Sequence, residues 1–136
     1  MPELTDIEIG HALPERTFTA TNVSLFLYNA AIWNPHRIHY DERYVTEVEH
    51  HPGIVIDGPL QGDWLTQTVF EWLGDDGELI EFEYSNRKAS YLGDTLTSGG
   101  KVTALDWETG LVTLDLFIKD EQGVVTTPGQ AVVRLT

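Results

Sequence analysis

The chain has no cysteine, which removes thiolate metal ligands, disulfide staples and a cysteine nucleophile from the chemistry open to it. It is also poor in cations: 8 lysines and arginines stand against 22 acids, for a formal net charge of −14. That balance repels polyanions, so neither nucleic acid nor an anionic membrane is expected as a partner. No apolar run comes near the roughly 20 residues a membrane-crossing helix needs. The start Met1-Pro2-Glu3-Leu4-Thr5-Asp6 is acidic where a secretory leader is basic and then apolar, so a cytoplasmic protein is expected. With 136 residues, 41% of them apolar, there is material for one hydrophobic core, and residues 1–136 are expected to form a single domain.

The first half of the chain reads as helices and the second half as strands. A short alternating strand at 17–20 leads to a Thr21-Asn22 cap and a helix over 23–31, with Val23, Phe26, Leu27 and Ala30 at helical spacing. Pro35 forces its predecessor towards extended geometry, so this helix ends by Asn34. A second, short helix is predicted over 41–49, burying Tyr44, Val45 and Val48. Asp57-Gly58-Pro59 then opens the longest helix, 59–73, with proline at the first position, where a missing N–H costs nothing. Leu60, Trp64, Leu65, Thr68, Val69, Trp72 and Leu73 cover so wide an arc of it that it must be buried. Gly62, which costs about 1 kcal/mol against alanine in a helix, predicts a neighbouring backbone packed closely. From Leu79 the period becomes two, giving strands at 79–88, 95–105, 111–118 and 124–135, with Pro128 marking an edge or a bulge. The expected class is α+β: a strongly curved antiparallel sheet wrapped around the 59–73 helix.

Functional chemistry concentrates in residues 33–41, Trp-Asn-Pro-His-Arg-Ile-His-Tyr-Asp. So many polar groups between apolar segments need partners or a purpose. An imidazole here suits general acid–base work near neutral pH, with Asp41 or Tyr40 able to orient it. His36 and His39, with His50, His51, Glu47 and Glu49 downstream, can also be assembled into a metal site on paper. The proline break and the lack of a third ligand at a diagnostic spacing argue against metal. Gly58 is the second focus. A helix start presents free N–H groups and a partial positive charge, and glycine lets a substrate carbonyl approach them closely. Asp57 is an awkward neighbour for an oxyanion unless it turns away to cap the helix. Tyr28 is a half-buried ring with a possible catalytic hydroxyl.

The run Asn34-Pro35-His36-Arg37-Ile38-His39-Tyr40-Asp41, followed by Tyr44, Pro52-Gly53-Ile54-Val55, Gly58-Pro59-Leu60 and Leu92-Gly93-Asp94-Thr95-Leu96, resembles the MaoC-like hot-dog hydratases and dehydratases. The subgroup with an N-x-H-R-I-H-Y-D signature is the nearer match. The resemblance implies a hot-dog fold and reversible water addition to a trans-2-enoyl thioester of CoA or a carrier protein, with neither metal nor redox cofactor. By it, His39 moves the proton, His36 and Asn34 assist, and Gly58 polarises the thioester carbonyl. Arg37 reaches a substrate carboxylate or phosphate, or instead pairs with an acid. The better-known members carry D-x-N-P-x-H, and here the aspartate's place is taken by Ile32. Either His36 takes that role or the chain completes a partner's site. The expected assembly is a homodimer through sheet edges, with a heteromer as the alternative, acting as one half of a hydratase or as an acyl-thioester binding module. A hot-dog thioesterase has no place for the octapeptide.

Overall fold

The computed structural model describes residues 2–135. In chain order it contains β1 (Arg16–Thr19), α1 (Asn22–Ala31), a 3-10 turn (Arg37–His39), α2 (Glu42–Glu47), α3 (Gly58–Leu73), β2 (Glu78–Tyr84), β3 (Thr95–Leu105), β4 (Leu111–Lys119) and β5 (Val125–Arg134), with a further 3-10 turn at Leu4–Asp6. The five strands form one antiparallel sheet in the order β1-β3-β4-β5-β2. The sheet curls around α3, which contacts β3, β4 and β5, in the hot-dog arrangement.

Burial explains why α3 is central. Leu65, Val69 and Leu73 have no exposure, and Trp64 stacks on Phe18 of β1 at 4.5 Å between ring centroids. Polar side chains on this helix are satisfied by the sheet: the Thr68 and Ser98 hydroxyls bond at 2.7 Å, and Thr127 donates to Gln61 Oε1 at 2.8 Å. Gly62 does mark a close approach, but the neighbour is a side chain and not backbone. A Cβ there would lie 2.5 Å from the Tyr84 ring. Pro128 sits in β5, an interior strand, so the edge reading fails. β2 pairs only as far as Gly129, and the β4–β5 register shifts between Ile118 and Lys119, so the missing N–H falls beside a bulge.

The other two helices differ from expectation in the faces they bury. Thr21 and Ser24 form a reciprocal capping box on α1. Yet α1 buries Leu25 and Asn29, while Val23, Phe26 and Leu27 are each at least 60% exposed. Apolar spacing permits either stripe, and the packing of Asn29 against Asp57 selects the narrower one. On α2 only Val45 is buried; Val48 lies outward.

Candidate active site

The polar run at 33–41 is consumed largely by its own folding. Trp33 adopts a left-handed φ of 57°, and Asn34 N donates to Asn29 O at 3.0 Å, closing α1. Asn34 Oδ1 then accepts from His36 N at 3.1 Å, and His36 Nδ1 accepts from Ile38 N at 3.3 Å. Tyr40 donates its hydroxyl to Pro35 O. Asp41 accepts from Tyr44 N at 3.0 Å, capping α2, and from Arg37 Nη2 at 2.8 Å, while the guanidinium lies over the Tyr44 ring. The Tyr44 N–H and then Arg37 hold the Asp41 carboxyl below its ordinary range. Asp41 therefore does not orient an imidazole, as it was expected to do, and Arg37 makes the acid pair that was its second reading. His39 is the one side chain of the run that is buried, at 8% exposure.

His39 is held from both sides. Its Nδ1 lies 2.7 Å from the Val55 carbonyl, and Val55 N donates back to Ile38 O at 2.9 Å. A carbonyl can only accept, so Nδ1 carries a hydrogen. The other nitrogen, Nε2, is left facing Asp57 Oδ2 at 3.5 Å. Asp57 is wholly buried, and it occupies the N-cap position of α3 without making a cap bond. Its carboxylate turns instead towards the polar run. Asn29 Nδ2 donates to Oδ1 at 2.9 Å, and Asn34 Nδ2 lies 3.5 Å from Oδ2. The structure thus replaces the capping role expected of Asp57 with a place in the site.

Gly58, the first residue of α3, lies immediately beyond this carboxylate. Above it sits the Asn86 side chain, whose amide a Cβ at Gly58 would overlap. Asn86 Oδ1 accepts from the Thr127 hydroxyl at 3.3 Å. The remaining predicted residues fall around this centre. His36 is exposed, its ring 5.8 Å from that of His39. Tyr28 is half-buried, and burial, followed by the Asp63 carboxylate, pushes its hydroxyl above the ordinary phenol range. It stays a neutral hydroxyl and is no base. Among the described residues, no group of three or more His, Asp or Glu side chains converges in a metal-holding arrangement.

Two members of the constellation, Asp57 in its actual role and Asn29, were missed in the sequence. A signal existed for Asp57, since an acid directly after the buried triplet Ile54-Val55-Ile56 must find a partner. Asn29 gave none. Asparagine on a short helix reads equally well as solvated.

A family model for hydroxyacyl-thioester dehydratase type 2 matches residues 7–92. A mesaconyl-C(4)-CoA hydratase of Chloroflexus aurantiacus is 39% identical over 62 residues, 44% of this chain and 22% of that protein. A mitochondrial hydroxyacyl-thioester dehydratase type 2 of Saccharomyces cerevisiae is 29% identical over 82 residues, 60% of this chain and 29% of that protein. The chain thus spans less than a third of the length of these relatives. Among solved structures, an (R)-hydratase from A. caviae involved in PHA biosynthesis superposes with a TM-score of 0.87 at 20% identity, covering 96% of this chain and 98% of that one. The ChsH1–ChsH2 complex from Mycobacterium tuberculosis gives 0.85 at 18% identity, covering 95% and 98%. The shared fold is that of the MaoC-like dehydratases, one of which reaches a TM-score of 0.91 at 21% identity, covering 99% of this chain and 42% of that one. With more than half of its length matched, the chain belongs to the hydroxyacyl-thioester dehydratase type 2 family.

Proposed function

We propose that the chain catalyses reversible addition of water to a trans-2-enoyl thioester, the reverse being dehydration of a 3-hydroxyacyl thioester. One observation carries the reading: the only free nitrogen of a buried imidazole faces a buried carboxylate one residue from the start of the central helix. In the hydration direction His39 Nε2 takes a proton from water as the C3–O bond forms. The C2=C3 electron pair moves towards the thioester oxygen, which the N–H groups at Gly58 stabilise. The imidazolium beside Asp57 then returns the proton to C2, so the sum is one water added. Nothing is oxidised or reduced overall, and the proposal includes neither metal nor redox cofactor. Asp57 takes the place of the aspartate that Ile32 lacks. Its charge is directed to Asn29, Asn34 and His39, away from the oxyanion. Asn34 holds the carboxylate, and His36 holds the turn that presents His39.

CoA or carrier-protein thioesters, acting in the cytoplasm, belong to the same proposal. So does assembly as a dimer or heteromer. No charged residue occurs between Thr17 and Pro35, and Phe26, Leu27 and Trp33 are exposed there beside Asn34. Such a face is suited to cover by another chain, and it supports a second reading in which that chain completes the site. The test is to follow loss of enoyl absorbance with purified chain and short and medium trans-2-enoyl-CoAs, beside His39→Ala. Turnover that vanishes in the variant is expected. Turnover unchanged in the variant refutes the assignment, and turnover only with a co-expressed partner favours the second reading.

A further inference from the structure

Asn29 is 5% exposed, and its side chain is unusually constrained. Nδ2 donates twice, to the Leu25 carbonyl at 2.8 Å and to Asp57 Oδ1 at 2.9 Å. Both partners are acceptors, so the amide cannot be turned over without setting oxygen against oxygen. Its Oδ1 therefore points away from the carboxylate, and among the described residues no donor meets it. Only one other buried side-chain polar atom, Arg16 Nε, shares that state. Buried acceptors without donors are rare and mark a place where a further group is needed.

The surroundings identify the group. Asn29 lines a cleft of about 470 Å³ together with Phe26, Ala30, Trp33, Asn34 and Tyr40. Asn34 and Asn29 are also the two amides that hold Asp57. A ligand seated there has apolar walls and, at the polar end, an acceptor one amide away from the His39–Asp57 pair. An acyl chain satisfies the walls and gives Oδ1 nothing. A hydroxyl or a water satisfies Oδ1.

We infer that Asn29 Oδ1 accepts a hydrogen bond from the reacting oxygen: the water in hydration and the 3-hydroxyl in dehydration. Asn29 then has two duties on its two amide atoms, holding the carboxylate through Nδ2 and positioning the nucleophile through Oδ1. This rests on the hydratase reading, but its test separates the two.

Kinetics of Asn29→Ala in both directions give the first readout. Loss of the hydroxyl contact raises KM for the 3-hydroxyacyl thioester roughly tenfold, the usual scale of one such bond. In hydration the same loss falls on kcat, and KM for the enoyl thioester is unchanged. A residue that merely holds Asp57 lowers kcat in both directions and leaves both KM values alone, and that result overturns the inference while the hydratase reading stands. The second readout needs no turnover. In a His39→Ala background, calorimetry compares 3-hydroxybutyryl-CoA with butyryl-CoA, with and without Asn29→Ala. Preference for the hydroxylated ligand that disappears with Asn29→Ala supports the assignment. Equal affinities in the Asn29-containing protein, or a preference that survives its removal, overturn it, whatever the activity assay gives. Thermal melting of each variant shows that the fold is intact.

Discussion

Replacing Asp57 by asparagine separates the site's chemistry from its scaffolding. The substitution keeps shape, so no cavity forms in a place with no exposure. Three groups face the present carboxylate: Asn29 Nδ2 at 2.9 Å, Asn34 Nδ2 at 3.5 Å and His39 Nε2 at 3.5 Å. The new amide is best satisfied with its oxygen towards Asn29 and its nitrogen towards His39, where Nε2 is an acceptor because Nδ1 spends its hydrogen on Val55. The strong bond is kept, and one weak contact, from Asn34, turns into donor against donor. The net cost is that of about one hydrogen bond, about 1 kcal/mol, or a melting point lower by about 3–4 °C. The catalytic loss is much larger. Nε2 now accepts a hydrogen bond where it should accept a proton, and the imidazolium loses its counter-charge. General acid–base catalysis contributes about 100- to 10,000-fold, so hydration should fall by at least about 100-fold at a nearly unchanged melting point. The assay pairs enoyl absorbance with thermal melting on the same preparations. Full activity in a folded Asp57→Asn protein would falsify the pairing of His39 with Asp57 as the working unit.

Gly58→Ala brings a methyl group against the Asn86 amide. That side chain belongs to an exposed loop residue and can move, so the fold should survive. Hydration should drop by about 100- to 1,000-fold, the scale of losing an oxyanion donor, and adding Asn86→Ala should restore melting but not rate. Gly62→Ala sets a Cβ 2.5 Å from the Tyr84 ring, and overpacking of this kind should cost about 1–3 kcal/mol in urea unfolding. An unchanged midpoint there means the helix slides on the sheet. Asp41 gives a pH test. Its folded pKa is depressed, chiefly by the Tyr44 N–H and next by Arg37, so its contribution is present above the unfolded carboxylate value of about 3.9 and is lost as pH falls through the depressed one. Asp41→Asn should therefore lower the urea midpoint at neutral pH and converge on wild type in strong acid. Divergence on acidification contradicts the cap. Arg37→Ala should leave enoyl hydration near wild type, since the guanidinium is spent on Asp41 and Tyr44. A large rise in KM would instead assign it to the substrate.

The sheet and α3 were legible because each obeys one strong rule. Alternation in 111–118 and 124–135 places Val112, Leu114, Leu116, Ile118, Ala131 and Val133 inward, as the structure does. The wide apolar arc of the long helix has only one solution, which is full burial. On α1 the rule had two solutions. Phe26 and Leu27 compete with Leu25 for the core, and the outcome is set by an amide reaching a carboxylate 28 residues away. Residues 33–41 were recognised as a cluster, but composition does not say which histidine turns inward. That is settled by Asn34 Oδ1 and His36 Nδ1, which cap backbone N–H groups and leave His39 to complete the turn. Asp57 was misassigned because an acid before a helix usually caps it, and only its depth shows otherwise.

One contact bears on how this site can vary. The hydrogen that fixes the His39 tautomer goes to a main-chain oxygen, and the same residue's N–H returns a bond to Ile38. Neighbouring Ile56 N bonds Ser90 O, and Leu92 N bonds Ile54 O, so a three-residue ribbon is sewn between two loops. Position 55 thus sets the protonation pattern of the imidazole with no contribution from its own side chain. Threonine or isoleucine there should leave the chemistry intact. Proline removes the N–H and unpicks the seam on one side. The residue that most strictly governs the proton carries no chemical group by which a sequence pattern would find it.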